Sequence, residues 1–328
     1  MDKLKIGNIE LESNIILAPM AGITNLAYRT MMKPFGCGLV VSEMISDFAL
    51  IYGNKETINM LQTNEIEHPL SVQLFGGSKE SLVNGAKKLL EIGNFEILDI
   101  NLGCPVPKVV KENSGSAWLK VGREEELYQA IKAVVDISSK PVTCKIRLGW
   151  DNESINCVNT CKILEKAGVS LIAIHGRTRS EFYLGHAEYE QIKLAKQAVN
   201  IPIIANGDIN SLDDAIKVLD YTKADGLMLG RGALGNPKLI TQIDTYLKTG
   251  VKLPDATIQE RIEYMYQHFD LLEKLKGEFK ACQEFRGIST HYLRGIIASR
   301  KFKVRLSQMK SKHEFLQIME DLKKETLL

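Results

Sequence analysis

A thiol, Cys104, and an amide, Asn101, stand where an apolar run, Ile97 to Leu102, breaks at Gly103. Such a run reads as a buried strand, and it hands both groups to the loop beyond its end. Pro105 and Pro107 fix φ and lack N–H groups, so the backbone after the cysteine is stiff. Other apolar runs also end in polar residues: Gln73, Lys145 with Arg147, His175-Gly176-Arg177-Thr178, Asn206-Gly207-Asp208 and Gly230-Arg231-Gly232. The first run ends in Pro19-Met20-Ala21-Gly22, small or flat residues whose backbone could lie against a planar ring. Singly, each has a structural explanation, such as an amide satisfying buried backbone or a lysine reaching out of a core. Repeated at the end of run after run, they describe one ligand site with a candidate catalytic cysteine in it.

Gly230-x-Gly232-x-x-Gly235 formally matches a dinucleotide fingerprint. That motif normally opens a βαβ unit, whereas here it closes the series, so a cup for a single phosphate monoester is the better reading. Asn206, Gly207, Asp208, Gly230 and Arg231 would form the cup, with Arg231 adding a charged contact. A phosphate there, with Gln73, Asn101 and Lys145 facing a planar head group, points to FMN. Lys145 would stabilise negative charge on the N1/C2 carbonyl edge of the reduced ring.

The elements that must position these groups follow from periodicity. Eight strand-like segments recur: Ile15 to Met20, Leu39 to Met44, Leu70 to Phe75, Ile97 to Leu102, Val142 to Leu148, Leu171 to Ile174, Ile201 to Ala205 and Gly226 to Leu229. Most are continuous Val/Ile/Leu runs, as expected of parallel strands covered on both faces. Amphipathic stretches such as Ser78 to Ile92, Glu124 to Ile137, Ser154 to Ala167 and Ser211 to Leu219 lie between them. Ser154 and Ser211 read as N-caps, and Gly93 and Gly168 as helix stops. Eight β/α units in about 245 residues predict a TIM barrel, with a doubly wound sheet as the alternative. Beyond Lys252-Leu-Pro-Asp the pattern turns helical, over Ile258 to Leu275, Phe279 to Ser299 and His313 to Leu322. The expected organisation is an α/β TIM barrel over 1–250 that binds FMN, and a small all-helical domain over 251–328 that docks on it.

Composition bounds the rest. At 328 residues, 45% hydrophobic and 25% charged, the chain reads as a soluble globular enzyme, and no apolar run approaches the ~18 residues of a membrane span. A cytoplasmic protein is expected, without a membrane or an obligate protein partner. The six cysteines lack paired spacing, which suits reduced thiols. Cys157 and Cys161 sit four apart on a predicted helix with no partner motif, so no metal site is expected. A net charge of +2 is too small to declare a nucleic-acid partner from the whole chain. Its distribution points to one. From Phe285 to His313 there is no Asp or Glu, while Arg286, Arg294, Arg300, Lys301, Lys303, Arg305, Lys310 and Lys312 are basic, with His291, Tyr292 and Phe302 among them.

Ala18-Pro-Met-Ala-Gly22, Asp99-Ile-Asn-Leu-Gly-Cys-Pro105, Lys145-Ile-Arg147, His175-Gly-Arg-Thr-Arg179, Asn206-Gly-Asp208 and Gly230-Arg231 together resemble the tRNA-dihydrouridine synthases, most closely the bacterial B type. The resemblance spans the barrel and reaches Phe285-Arg-Gly-Ile-Ser-Thr-His-Tyr-Leu293 in the tail. It implies an FMN-dependent NAD(P)H oxidoreductase that reduces the C5–C6 double bond of tRNA uridines, with FMN tightly bound and NADPH as reductant. It also implies that Cys104 is the proton donor to C5, a task an ordinary thiol of pKa ~8.5 can perform while still protonated at neutral pH. By the same resemblance Pro19, Met20, Ala21, Gln73, Lys145, His175, Asn206, Gly207, Asp208, Gly230 and Arg231 contact FMN. Asn101 joins them from its place beside Gln73 and Lys145. Arg177, Arg286, His291, Tyr292 and Arg294 are the expected RNA contacts. Val106 and Val109-Val-Lys111 depart from the small or basic residues that relatives often carry there. Two rival readings are a small-molecule FMN oxidoreductase like dihydroorotate dehydrogenase and a barrel that binds RNA without catalysis.

Overall fold

The computed structural model describes residues 2–296 and 299–326. Eight parallel strands close into a barrel: β1 Ile15–Leu17, β2 Leu39–Val41, β3 Leu70–Phe75, β4 Ile97–Leu102, β5 Val142–Arg147, β6 Leu171–His175, β7 Ile203–Asn206 and β8 Gly226–Leu229. Each pairs with its chain neighbour, and β8 closes on β1 through Leu227↔Ile15 and Leu229↔Leu17. The helices that follow them are α1 Leu26–Met32, α2 Asp47–Ile51, α3 Lys79–Ile92, α4 Glu124–Ile137, α5 Cys157–Ala167, α6 Glu190–Ala198, α7 Leu212–Thr222 and α8 Lys238–Thr249.

Strand ends differ from expectation in an instructive way. β1 and β2 stop at Leu17 and Val41; after β1 the chain turns out of the ladder, with Met20 O accepting from the N–H groups of Ile23 and Thr24. β6 and β7 instead run on to His175 and Asn206, which pair with each other. These polar residues are therefore held by strand geometry and not by loops. Ser211 caps α7, its Oγ accepting from Asp214 N at 3.1 Å. Ser154 does not cap α5, which begins at Cys157; its hydroxyl donates to Asp151 in the preceding turn.

Inside the barrel, Ile16, Leu39, Val41, Ile97, Leu171, Ala173, Ile204 and Met228 pack with Leu4, Ile6 and Leu11. The last three come from or flank a short antiparallel hairpin, Lys5–Ile6 with Ile9–Glu10, that contributes to this inner core. The interior turns polar along β3, β4 and β5, where Gln73, Asp99 and Thr143 stand side by side in register.

Four further helices complete the described chain: α9 Ile258–Lys276, α10 Glu278–Tyr292, α11 Arg300–Gln308 and α12 Lys312–Thr326. Their own centre is aromatic, with Phe269 stacked on Phe315 at 4.3 Å and Phe285 edge-on to both. One continuous apolar core joins them to the outer shell of the barrel. Tyr292 reaches Met31 Sδ of α1 at 3.6 Å, and Gly235 lies under the His291–Tyr292 backbone, where a Cβ would come within 2.4 Å of a carbonyl carbon. The last glycine of the supposed fingerprint is thus needed for docking the helices, with φ at +78°. Folding also changes the tail's charge. Lys312 pairs with Glu273 of α9, while Arg305 and Lys301 pair with Asp321 and Glu325 of α12. A segment free of acids in sequence is partly neutralised by acids from its neighbours.

Candidate active site

At the carboxyl ends of the strands lies a cavity of about 370 Å³. Its wall brings together Pro19, Met20, Ala21, Gln73, Asn101, Lys145, His175, Asn206, Gly207, Asp208, Gly230, Arg231 and the proposed donor, Cys104. The cysteine loop is pinned from two sides. Asn101 Oδ1 accepts from Gly103 N at 3.1 Å and Cys104 N at 2.9 Å, and Ser116 Oγ donates to Cys104 O at 2.8 Å. Gly115, with φ at +59°, passes directly beneath; a Cβ there would sit 2.8 Å from Cys104 O. Below, Gln73 Oε1 accepts from Asn101 Nδ2 at 2.7 Å, and Gln73 Nε2 donates to Asp99 Oδ2 at 2.6 Å.

Burial sets the protonation states. It pushes the Cys104 thiol up, against the pull of the Val106 backbone and of Arg147 and Lys145, so the sulfur keeps its proton at neutral pH. Burial, reinforced by Arg147, draws Lys145 down to about 8 against the pull of Asp99. Burial and four surrounding cations hold His175 well below its ordinary value and therefore neutral. Arg177 Nη1 lies 3.3 Å from His175 Nε2, and a guanidinium can only donate, which assigns the proton to Nδ1.

Across the cavity the loops after β7 and β8 face each other. The peptide N–H groups of Gly207, Asp208, Gly230, Arg231 and Gly232 make no hydrogen bond among the described residues. With the Arg231 guanidinium half-exposed beside them, this is the donor set that a phosphate monoester requires. Asn206 fixes the rim by donating to Met228 O at 2.7 Å. Lys145, Gln73 and the flat Pro19–Ala21 segment line the same cavity, a combination of polar groups and open backbone that suits a flavin.

The residues expected at RNA scatter. Arg177 is only 2% exposed: it grips Asp208 through both Nη atoms and the carbonyls of Leu184 and Gly185, shaping the loop after β7 from beneath. Tyr292 is 0% exposed and bonds His268 in the core. Arg286 is half-buried, its Nε donating to Met309 O at 2.7 Å. His291 is half-buried, and Arg294 is exposed next to it, Nη2 to Nδ1 3.0 Å. Tyr183 and Met44 are among the cavity side chains not singled out from sequence. Tyr183, in the irregular loop after β6, spreads its ring over Arg231 at 4.6 Å and Arg147 at 5.4 Å. Met44 approaches Asn101 at 3.8 Å. Tyr183 sits in no periodic pattern, whereas Met44 closes the apolar run Leu39 to Met44 and, being apolar itself, carried no mark of a site residue.

A closed parallel barrel whose strand ends surround one polar cavity defines a TIM-barrel enzyme. At the level of fold alone, it is similar to the old yellow enzyme homologue of Zymomonas mobilis, with a TM-score of 0.57 at 13% identity over 79% of this chain and 95% of that one. It is also similar to morphinone reductase, with a TM-score of 0.54 at 12% identity over 79% and 93%. In sequence, the family model "Dihydrouridine synthase (Dus)" matches residues 16–327. A probable tRNA-dihydrouridine synthase of Rickettsia bellii is 40% identical over 301 residues, 92% of this chain and 91% of that one. The tRNA-dihydrouridine synthase B of Pseudomonas aeruginosa is 40% identical over 311 residues, 94% and 92%. The chain belongs to the dihydrouridine synthase family.

Proposed function

We propose that this protein reduces the C5–C6 double bond of uridines in tRNA, with FMN at the barrel mouth and NADPH as the source of electrons. The observation that carries the reading is a protonated thiol on a pinned loop, sharing one cavity with a row of unpaired loop N–H groups. Bound there, the flavin supplies a hydride, taken from NADPH, to C6 of uracil.

The chain's own residues do the rest. Cys104 holds a proton and releases it to C5, where negative charge would otherwise build. Lys145, half-buried and cationic below about pH 8, offsets negative charge on the ring edge it faces. Asn101, fixed in one direction by its neighbours, presents its amide beside the thiol. Gly207, Asp208, Gly230 and Arg231 bind the phosphate. Residues 251–328 serve as the tRNA-holding unit, with Arg294 at the edge of the cleft it forms with the barrel. A uracil must leave its stack to enter the cavity, and base extrusion is the general solution for enzymes that work on a base within folded RNA.

Purified protein is expected to be yellow at about one flavin per chain, and to oxidise NADPH on adding unmodified tRNA but not on adding free uridine or dihydroorotate. Colourless protein unable to take up FMN would remove the reading. Equal activity on free uridine would replace tRNA with a small-molecule substrate.

A further inference from the structure

We propose that Asp99, a carboxylate sealed inside the barrel beneath the cavity, is a positioning residue that sets the direction of the hydrogen-bond chain holding the Cys104 loop.

Asp99 is 5% exposed, midway along β4, and two donors converge on it. Thr143 Oγ1 donates to Oδ1 at 2.6 Å and Gln73 Nε2 to Oδ2 at 2.6 Å. An amide side chain can face either way, since its oxygen and nitrogen are nearly the same size and only partners choose between them. An ionised carboxylate accepts and never donates, so Gln73 must turn its NH2 group toward Asp99 and its oxygen toward Asn101. Asn101 must then turn its own NH2 group toward Gln73, at 2.7 Å, and its oxygen toward Gly103 N and Cys104 N. Reversing one amide alone would set oxygen against oxygen or NH2 against NH2 inside the barrel, leaving buried polar groups unsatisfied. The charge at Asp99 thereby decides that an acceptor, and not a donor, meets the backbone N–H of the cysteine. Burial pushes this carboxyl up, while the Thr143 and Gln73 hydrogen bonds and the cation of Lys145 favour its charged form.

This arrangement predicts a coupling between two isosteric changes. Asn101→Asp alone places a carboxylate oxygen against Gln73 Oε1, and Asp99 forbids Gln73 from turning over to relieve it. Adding Asp99→Asn removes that block. The amide then present at position 99 can donate to Gln73 Oε1, and Gln73 Nε2 can donate to the new carboxylate at position 101. That carboxylate still accepts from Cys104 N, so the two links through Gln73 are satisfied in the opposite direction and the link to the cysteine is kept.

Iodoacetamide labelling of Cys104 reads the loop directly, because the other five cysteines are buried and Cys104→Ala gives the background. With wild type as reference, Asn101→Asp and Asp99→Leu are expected to label roughly tenfold faster, the energy of one lost hydrogen bond. Asp99→Asn alone and the Asp99→Asn/Asn101→Asp pair are expected within about threefold of wild type, with melting temperatures of the flavin-free proteins following the same order. If Asp99→Leu fails to fold, the isosteric pair still carries the test. A double variant that labels as fast as Asn101→Asp, or an Asn101→Asp protein that labels like wild type, overturns the proposal. Only the role of the thiol as proton donor rests on the function proposed above. Coupling without tRNA reduction would remove that function and leave the relay, and tRNA reduction without coupling would do the reverse.

Discussion

Arginines occur both at the barrel mouth and in the helical tail, and the fold uses them in opposite ways. At the mouth Arg147 and Arg177 are spent on the protein itself, whereas Arg231 is left half-exposed over the cavity. Arg147 donates to the carbonyls of Gly103, Thr178 and Phe182, tying together the loops after β4 and β6, while Arg177 carries Asp208 and two more carbonyls. In the tail Arg305 shares a half-exposed pair with Asp321 at 2.8 Å, and Arg294 stands exposed at the cleft. Residue type announces charge in both places, but only burial says whether the charge builds a site or meets a partner. At the mouth, cations hold the loops in register. In the tail, several pair with acids of neighbouring helices at the surface, and Arg294 remains available to an anion.

The largest effect should separate chemistry from both kinds of arginine. Cys104→Ala is expected to lower single-turnover reduction of tRNA uridine by ~10²- to 10⁴-fold, the usual worth of a general acid, while flavin content and the bleaching of the flavin by NADPH in the absence of tRNA stay near wild type. Full turnover in that variant would take the thiol out of the reaction and leave the mouth as a binding site only.

Next comes the buried clamp. Arg177→Met leaves the quarter-exposed Asp208 without its bidentate partner and strands the carbonyls of Leu184 and Gly185, and the loss of such a partly buried cluster is expected to cost about 2 kcal/mol. Denaturant unfolding should register most of that, with a matching loss of flavin affinity, whereas Arg305→Met, in an exposed pair, should cost less than about 1 kcal/mol. Equal costs would erase the distinction between the two regions.

The seam between them offers a pH test. His268 of α9 lies fully buried between Tyr28 of the barrel and Phe285, its Nδ1 2.9 Å from the Tyr292 hydroxyl, and burial draws it down to about 3. Between that value and the ordinary 6.5, the unfolded chain binds a proton that the folded one refuses. Stability from this residue is therefore complete above about pH 6.5 and lost as pH falls, by about 2 kcal/mol at pH 5. Urea unfolding at pH 7.5 and 5 should show that loss in wild type relative to His268→Gln. Parallel pH responses in the two proteins would mean that the seam tolerates the charge.

How much of this was legible in the chain depended on whether the partners are close in sequence. The eight strands and the residues lining the mouth could be read because each strand carries its own pattern and delivers its own last residues. The N-terminal hairpin could not, since strands of two residues have no period. Asp99 sits in plain view within the motif, yet its partners Gln73 and Thr143 are 26 and 44 residues away, and only barrel closure lines them up. Tyr292 carries the same signal as any aromatic in a basic stretch, and packing alone turns it inward. The acid-free run of the tail loses its purity for the same reason, because Glu273, Asp321 and Glu325 belong to helices that meet it only in space.

The smallest expected effect falls on the tail itself. Arg294 donates to His291, and its carbonyl accepts from Arg261 at 2.6 Å, so its backbone is anchored while its side chain remains exposed on the cleft beside Arg231 and His186. Arg294→Glu should weaken tRNA binding by roughly tenfold at low salt and reduce the slope of log affinity against log salt by about one, as loss of a single phosphate contact does. Flavin content and the bleaching of the flavin by NADPH in the absence of tRNA should not change, because the side chain lies outside the cavity that the flavin is proposed to fill. Arg286→Glu should weaken binding less, since its Nε is already held by Met309 O. Filter binding across a salt series measures both. A salt slope unchanged by Arg294→Glu would mean that RNA crosses the mouth without touching this edge, and the contrast between inward and outward arginines would then have to be drawn elsewhere in the tail.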